Sequence, residues 1–258
     1  MKNTSRITAL SGVLIVAIVA LAGIYAYQNR PAQPLSDDKF GEQVRAYLLE
    51  NPQVIREAIE VLSAQEQKAE DETKRQALAA SKTELENDGY SAVMGNPDGD
   101  VTIVEFFDYR CGYCKRAFPD LMKTVEADGN IRLILKEFPI LGDQSILAAK
   151  AVMAAQNQNK YEEFHALLMS TKGNYTIGSL KKQAIQIGLD PDLLEKDMKS
   201  NTITHNIQRT YALARALGIS GTPAFVIGGT LVPGAIPASQ MVSMVAEARE
   251  RNASSATN

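Results

Sequence analysis

The chain is poor in the side chains that build metal centres and bind nucleic acid. Its 258 residues include two cysteines, two histidines and no tryptophan, and Lys and Arg number 27 against 30 Asp and Glu. The chain has a formal net charge of −3 at pH 7 and lacks the excess of basic residues that is typical of nucleic-acid-binding domains, so no nucleic acid partner is expected. His165 and His205 lie too far apart for zinc-finger spacing, which argues against a zinc site.

The two cysteines that are present lie in one tetrapeptide, Cys111-Gly112-Tyr113-Cys114. They follow an apolar run, residues 101–107, and precede a helix-like segment that begins at Lys115. A helix N-terminus stabilises a thiolate on Cys111, and a thiol three positions later resolves a mixed disulfide. A structural disulfide is the alternative, but so short a loop would restrict the unfolded chain little. The pattern therefore favours a redox-active pair, Cys111–Cys114, with Cys111 as the nucleophile.

The first thirty residues indicate export. Lys2 and Arg6 precede an apolar stretch, residues 7–27, and no acidic residue occurs before Asp37. This is the pattern of a secretory signal, and Ala20-Leu21-Ala22 supplies small residues for cleavage. The stretch is also long enough to remain as a membrane anchor. In both cases we expect the rest of the chain in the periplasm, either soluble or tethered to the inner membrane.

An amphipathic segment follows in residues 35–62. Asn51-Pro52 divides its helical pattern in two, with Asn51 as a possible cap of the second helix. Two short amphipathic helices cannot bury their apolar faces alone, so they need a partner surface. This surface is either the chain's own larger domain or the same segment of another subunit. The apolar positions are Phe40, Val44, Tyr47, Leu48, Val54, Ile55, Ile59 and Leu62.

Residues 63–87 are rich in Gln, Glu, Lys, Asp and Ala, and Leu78 and Leu85 are their only large apolar side chains. High helix propensity without an apolar stripe predicts a solvated helical connector or a flexible linker. An ordinary surface helix of a single globule is the alternative. We therefore expect an arm and linker over residues 31–90 and a separate domain over residues 91–251.

The separate domain alternates strand and helix signals. Residues 101–107 and 131–138 predict strands, and apolar pairs four residues apart predict helices across residues 144–217. Later in the chain, Gly228-Gly229 predicts a two-residue hairpin turn between two short apolar runs. A last helix is expected from about Pro237, followed by a disordered tail over residues 252–258.

These features together resemble a thioredoxin fold: a strand before Cys-x-x-Cys, Pro119 in the following helix, and Thr222-Pro223 before a late hairpin. The 107 residues from 115 to 221 exceed what a minimal thioredoxin needs. Their helical character resembles the DsbA family, in which a helical domain is inserted into the thioredoxin core. The resemblance implies an α/β fold of thioredoxin type with an inserted α-helical domain, about residues 142–218, preceded by an N-terminal helical arm.

The same resemblance implies catalytic roles beside the cysteines. Glu105, six positions before Cys111, and Lys136 in the next strand fall where the family keeps a buried acid and its basic neighbour. In that role Glu105 would relay a proton to Cys114, whereas an edge residue facing water is the alternative interpretation of Glu105. No cofactor and no metal is implied.

The substrate-binding residues are implied in the same way. Pro223 resembles the cis-proline that faces the disulfide, which leaves the backbone of Thr222 free to pair with an extended substrate. Gly112 and Tyr113, between the cysteines, are similar to the pair in DsbC-type isomerases, where the DsbA oxidase has Pro-His. Without that histidine we expect a less oxidising pair.

The arm resembles the oligomerisation segment of ScsC-like proteins, which join such a segment to a DsbA-like domain. The resemblance implies a thiol:disulfide interchange protein that isomerises or forms disulfides in exported proteins, as a homo-oligomer assembled through residues 35–62. It also implies a membrane redox partner, DsbB-like or DsbD/ScsB-like. Two alternatives remain open: a monomeric DsbA-type dithiol oxidase, and a copper-handling or chaperone module, because two thiolates are soft ligands that suit Cu(I).

Overall fold

The structure, a computed structural model, describes residues 37–256. The chain divides into two compact units, one ending at Glu66 and the other beginning at Gln67. The expected signal or anchor, residues 1–30, lies outside the described residues. Among the helices that are described, none is both long and apolar enough to cross a membrane.

The described part of the first unit, residues 37–66, is helical and is broken at Asn51-Pro52, as the sequence predicted. Helix α1 covers Asp37–Glu50, and helix α2 covers Gln53–Ala80 and so extends beyond this unit. A proline disfavours helical geometry in the residue before it, which ends α1 at this point. The expected cap by the Asn51 side chain is not formed: its Nδ2 donates to the Tyr47 carbonyl at 3.0 Å, and its Oδ1 accepts from the Gln53 side chain at 3.3 Å.

A five-stranded sheet forms the centre of the second unit. Its strands are β1 (Ala92–Gly95), β2 (Val101–Phe107), β3 (Ile131–Glu137), β4 (Ala224–Ile227) and β5 (Thr230–Pro233). The order is β1-β3-β2-β4-β5, with β2 and β3 parallel and the other pairs antiparallel. Since β2 and β3 are buried on both faces, each reads as a nearly continuous apolar run. The two predicted strands and the hairpin at Gly228-Gly229 are confirmed.

Helices connect and cover the strands of this sheet. The predicted helical insertion lies between β3 and β4. The helices of the unit, beyond the end of α2, are α3 (Lys82–Glu86), α4 (Gly112–Asp128), α5 (Asp143–Ala155) with a 3-10 turn (Gln156–Gln158), α6 (Tyr161–Ser170), α7 (Ile177–Gln186), α8 (Pro191–Asp197), α9 (Asn201–Ala216) and α10 (Ala238–Ala256).

The sheet has two faces with different occupants, because successive side chains along a strand point to opposite sides. Ile103 and Phe107 of β2 share one buried cluster with Cys111 and Cys114, and we call this side the thiol face. Phe106 of β2 belongs to a second cluster on the opposite side. Lys136 of β3 pairs with Phe106 in the register and lies on that side, which we call the ion-pair face.

The domain begins earlier than the sequence predicted. Leu78 and Leu85, which were assigned to a solvated linker, are buried in the ion-pair face core. Strand β1 was not predicted, because four residues with a Gly carry too short a pattern to identify. The second compact unit accordingly starts at Gln67 rather than residue 91.

The chain also stays ordered later than the sequence predicted. Helix α10 continues through Ala256, so a disordered tail starting at residue 252 is wrong for residues 252–256. Two anchors hold this last helix: Arg249 forms ion pairs with Asp100 and Asp128, and the Asn252 side chain donates to the Asp100 carbonyl at 3.4 Å.

Candidate active site

Cys111 is the N-cap residue of α4, at the turn that follows β2. Its Sγ accepts a hydrogen bond from the backbone N–H of Cys114 at 3.3 Å, which is one of the free donors of the first helical turn. On the opposite side, the protonated form of Sγ donates to the carbonyl oxygen of Thr222 at 3.2 Å. Both cysteines of the pair are free thiols in the structure. The predicted placement of Cys111 at a helix N-terminus is therefore present.

The two thiols have opposite acidities. Donation from the Cys114 thiol, followed by hydrogen bonds from the Thr222 side chain and the Cys114 and Tyr113 amides, lowers the pKa of Cys111 to about 5. Burial raises the pKa of Cys114 far above its ordinary value, and the neighbouring Cys111 and Glu105 raise it further. Cys111 is 5% exposed and Cys114 is fully buried. At neutral pH the first thiol is therefore ionised and the second holds its proton.

Glu105 is a buried acid on the thiol face, so the alternative of an edge residue is wrong. β2 lies between β3 and β4, and the Glu105 side chain has no exposed surface. Within residues 37–256, neither of its carboxyl oxygens has a hydrogen-bond partner. Burial, with the nearby charge of Cys111, raises the pKa of Glu105 to about 8. A carboxyl group with this pKa both accepts and releases protons near neutral pH.

Lys136 is not the basic neighbour of Glu105, contrary to the resemblance. In the strand register Glu105 pairs with Leu135 and Lys136 pairs with Phe106, so the two charged side chains point to opposite faces. The Lys136 ammonium binds Asp88 at 2.5 Å and the Glu84 carbonyl at 2.7 Å. Burial lowers the pKa of Lys136, and the Asp88 carboxylate opposes this effect. Lys136 joins the segment before β1 to the sheet, away from the thiols.

Thr222 and Pro223 close the opposite side of the thiol pair. The Thr222–Pro223 peptide bond is cis, as the family resemblance implied. The Thr222 carbonyl is occupied by Cys111, whereas its N–H has no acceptor among the described residues. Pro223 is buried at the start of β4 and accepts a hydrogen bond from Gly234 N–H at 2.9 Å.

Gly112 and Tyr113 lie at the solvent-exposed rim of the site. The Tyr113 side chain is 63% exposed, and the Arg116 guanidinium lies over its ring at 4.4 Å. A Cβ on Gly112 would meet only the flexible end of Arg116, at 3.4 Å. The residues between the two cysteines therefore remain accessible to a bound molecule.

The segment before Cys111 is held by polar residues that sequence reasoning did not assign. The buried Asp108 carboxylate accepts from the N–H groups of Arg110 and Leu141, at 2.7 and 2.9 Å, and from the Ser145 hydroxyl at 2.8 Å. These bonds join the loop after β2 to the insertion. The order of residues along the chain gave no signal for the bonds from Leu141 and Ser145, because these residues lie more than thirty positions from Asp108.

Tyr109 belongs to a second buried network that the sequence did not reveal. Tyr109 and Tyr161 both donate to one oxygen of Glu137, at 3.0 and 2.8 Å. The Tyr109 hydroxyl also lies 2.9 Å from Nδ1 of His165. Burial raises the pKa of Glu137 to about 8 and lowers that of His165 to about 3, so the histidine is neutral. His165 is thus part of a buried structural network.

Family comparison gives the same identification as the site. Residues 102–246 match the family described as the DSBA-like thioredoxin domain, and residues 38–69 match the N-terminal domain of the copper resistance protein ScsC. The first match begins in β2, ends in α10, and contains both cysteines, Glu105 and the Thr222–Pro223 bond.

Solved structures match over most of their own length. A thioredoxin-like oxidoreductase from Silicibacter pomeroyi DSS-3 is 45% identical, covers 65% of this chain and 97% of its own, and has a TM-score of 0.64. Proteus mirabilis ScsC in a transitional conformation is 32% identical, covers 84% and 100%, and has a TM-score of 0.63. A periplasmic thioredoxin-like protein from Salmonella enterica serovar Typhimurium is 31% identical, covers 65% and 94%, and has a TM-score of 0.60.

The curated relatives are longer proteins. The Na⁺/H⁺ antiporter NhaA 1 of Salinispora arenicola is 29% identical over 139 residues, which are 53% of this chain and 21% of that protein. The chain thus spans about a fifth of the length of this relative. Because the DSBA-like match covers more than half of its residues, the chain belongs to the family of DsbA-like thioredoxin domains, and an ScsC-type segment precedes that domain.

Proposed function

We propose that the protein is a periplasmic thiol:disulfide interchange enzyme that isomerises disulfides in exported proteins as a homo-oligomer. The observation that carries the proposal is the Cys111 thiol at the start of α4, whose pKa is lowered to about 5 beside a buried partner thiol. Membership of the DsbA-like family and similarity to a periplasmic relative support the assignment.

The chemistry begins with the Cys111 thiolate. It attacks one sulfur of a substrate disulfide, so that a Cys111–substrate bond forms, the substrate bond breaks, and the released thiolate takes a proton. In isomerisation another substrate thiolate then attacks the mixed disulfide and releases Cys111, with no net change in oxidation state. In the redox branch Cys114 gives its proton to Glu105 and attacks Cys111, and two electrons pass from the protein dithiol to the substrate.

Substrate binding is assigned to the exposed rim around the pair. The Thr222 N–H has no acceptor among residues 37–256 and is positioned beside Cys111 through its own carbonyl. An extended substrate backbone that accepts from this N–H places its cysteine at Cys111, as in strand addition. Gly112 and Tyr113 contact the same substrate from the α4 side.

The oligomer is assigned to the arm because of its exposed apolar side chains. Isolated amphipathic helices of this length do not bury such a surface on their own. The exposed large apolar side chains in the described part of the first unit are Phe40, Val44, Tyr47, Leu49, Ile55, Ile59, Val61 and Leu62. Several active sites held in one assembly raise the concentration of catalytic thiols around a single client. The match to the ScsC N-terminal domain supports this assembly.

The test replaces two exposed apolar residues of α2 in the exported chain, Ile55→Asp and Ile59→Asp. The matched control is Glu57→Gln, an exposed polar residue of the same helix. We expect the control to stay oligomeric by sedimentation equilibrium, and the double variant to become monomeric and lose refolding activity on a protein with scrambled disulfides. A wild-type monomer, with fast oxidation of dithiol peptides, would instead establish the alternative of a DsbA-type monomeric oxidase.

Copper handling is a second candidate, because the family matched by the arm is described as a copper resistance protein. Two thiolates three residues apart are suitable soft ligands for Cu(I). Competition for Cu(I) against a chelator of known affinity, in wild-type and Cys114→Ala proteins, measures this role separately from disulfide exchange.

A further inference from the structure

A cavity of about 650 Å³ is lined by Arg110 and Gly112, the residues on either side of Cys111 in the chain. One wall is the first two turns of α4, from Gly112 to Pro119, and Tyr109 and Arg110 of the preceding loop continue this wall. The other wall is the end of α6 with the loop that follows it, including Lys172. We call this cavity the basic groove, because of the charges described next.

Four cationic side chains line the basic groove: Arg110, Lys115, Arg116 and Lys172. No aspartate or glutamate is among its lining residues. The chain as a whole has a net charge of −3, so this concentration of positive charge is a local reversal. A narrow depression lined by one sign of charge concentrates the electrostatic field and attracts the opposite charge.

The four cations have no carboxylate in direct contact within the described residues. Within residues 37–256, none of them forms an ion pair. Arg110 donates to the Leu141 carbonyl at 2.6 Å, and Lys115 donates to the carbonyls of Leu168 and Thr171. These acceptors are neutral and hold the cationic side chains in place. Burial lowers the pKa of Lys115 to about 8, and the buried Asp108 carboxylate opposes this effect.

The position of the groove indicates what it binds. From Gly112 to Pro119 the helix rises by about 10 Å, at about 1.5 Å per residue, and an extended peptide covers that distance with about three residues. We propose that the basic groove binds acidic side chains of the substrate polypeptide, one to three residues from the cysteine that reacts with Cys111. This proposal rests on the proposed function and adds a substrate class to it: disulfides and thiols flanked by Asp or Glu.

The test measures how fast the oxidised protein reacts with single-cysteine peptides that differ only in three flanking residues: Asp, Asn or Lys. A peptide thiolate attacks Cys111 Sγ, the Cys111–Cys114 bond breaks, and Cys114 takes a proton. A second peptide thiolate then releases a peptide disulfide and the protein dithiol. Because a peptide's own thiol reactivity is the same for every protein variant, comparison between variants isolates the groove.

The variant that tests the groove is Lys172→Glu, on the wall opposite α4. At low salt, we expect this variant to react about fivefold more slowly with the Asp peptide, relative to the Asn peptide. We expect its reaction with the Lys peptide to be faster by a similar factor. Both effects should disappear in 1 M salt, and Lys172→Arg should retain the wild-type ratios. The matched control is Lys160→Glu, at the opposite end of α6 and about 15 Å along the helix axis from Ser170.

The outcomes separate this inference from the proposed function. If the Asn peptide reacts and the ratios of the rates for the three peptides are the same in wild-type and Lys172→Glu proteins, the groove assignment alone is overturned. A wild-type protein that reacts with none of the three peptides would overturn the proposed function. A cysteine-free Asp peptide should compete with the Asp substrate; stronger competition by anionic lipid vesicles of phosphatidylglycerol would overturn the assignment of a peptide as the ligand.

Discussion

Glu105 and Lys136 are buried ionisable residues on adjacent strands of one sheet, yet the protein surrounds them in opposite ways. On the ion-pair face, Lys136 is bound by Asp88 and by the Glu84 carbonyl. On the thiol face, Glu105 has no hydrogen-bond partner among the described residues, and burial and the Cys111 charge raise its pKa to about 8. A buried charge that is paired is a structural element. A buried ionisable group without a partner, beside a reactive group, is available for proton transfer.

The neighbouring residues of each face follow the same division. Burial raises the pKa of Asp88, but hydrogen bonds from Lys136 and Ser91 lower it by more. The Asp88 carboxylate therefore stays charged in the ion pair. On the thiol face the pKa of Cys111 is lowered and the pKa of Cys114 is raised. The difference between the faces gives four predictions, from the largest expected effect to the smallest.

The thiol face should lose its chemistry completely through one sulfur. Cys111→Ala is expected to slow thiol–disulfide exchange by more than about a thousandfold, because it removes the only ionised nucleophile of the pair. Stopped-flow reaction with a peptide disulfide measures this loss. Cys114→Ala is the matched control: it should retain the first step and accumulate the mixed disulfide. Exchange that persists in Cys111→Ala would assign the nucleophile to Cys114 instead.

The ion-pair face should lose stability rather than activity. Lys136→Met is expected to lower the free energy of unfolding by about 3–5 kcal/mol, because the Asp88 carboxylate is left buried without its cation. Urea denaturation followed by circular dichroism measures the change, and Arg132→Met on the same strand is the control, since Arg132 is only partly buried. A stable Lys136→Met protein with slowed exchange would make Lys136 a residue of the active site after all.

Glu105 should make stability fall as the pH rises, which is the reverse of the usual behaviour of a carboxylate. Its pKa is raised from 4.5 to about 8 in the folded protein, so between these values the folded state binds more protons than the unfolded state. The stability of Glu105→Gln relative to wild type should therefore increase by up to about 1.4 kcal/mol per pH unit in that interval. Thermal denaturation of the reduced proteins from pH 5 to pH 8 measures this difference.

The control for this pH dependence is Glu126→Gln, an exposed position on α4. Its stability difference from wild type should be nearly constant over the same interval. The proton-relay role is measured separately, as the rate at which Cys114 closes the disulfide, which should lose its dependence on pH near 8 in Glu105→Gln. A Glu105→Gln protein with a wild-type pH profile in both measurements would remove this carboxyl group from the mechanism.

The smallest expected effect concerns the two residues between the cysteines. Tyr113→His adds a cationic donor beside the Cys111 thiolate, which stabilises the reduced protein and makes the pair more oxidising. We expect the reduction potential to rise by about 30 mV, a tenfold change in the equilibrium constant with glutathione. Tyr113→Phe is the control, because it keeps the ring and adds no charge. An unchanged potential in Tyr113→His would show that this position does not influence the thiolate.

The sequence predicted the parts of the fold that rest on local patterns. The apolar runs of β2 and β3, the helical insertion, Pro119 inside α4 and the turn at Gly228-Gly229 are all present. The placement of Cys111 at a helix N-terminus followed from a strand that ends just before the pair. Where the pattern was weak, the prediction failed: β1 has four residues, and the last turns of α10 are small and polar.

Contacts between distant residues were beyond the reach of the sequence. Leu78 and Leu85 are isolated apolar residues in two polar helices, α2 and α3, and only the packing against the sheet shows that they are core residues. The pairing of Lys136 depends on strand register, because a shift of one residue would have turned it towards Glu105. Likewise, no spacing rule connects Tyr109 with Glu137 or Arg110 with Lys172.

By itself, the sequence determined that the chain carries one pair of thiols between a buried strand and a helix, since neighbouring residues and their periodicity fix those elements. Only the tertiary structure decided the rest of the site. It placed Glu105 and Lys136 on opposite faces, brought the Thr222 carbonyl to Cys111, and gathered four cations in one groove. The physical reason is that burial and charge pairing depend on which distant segments meet, and the energies of both are set by that environment.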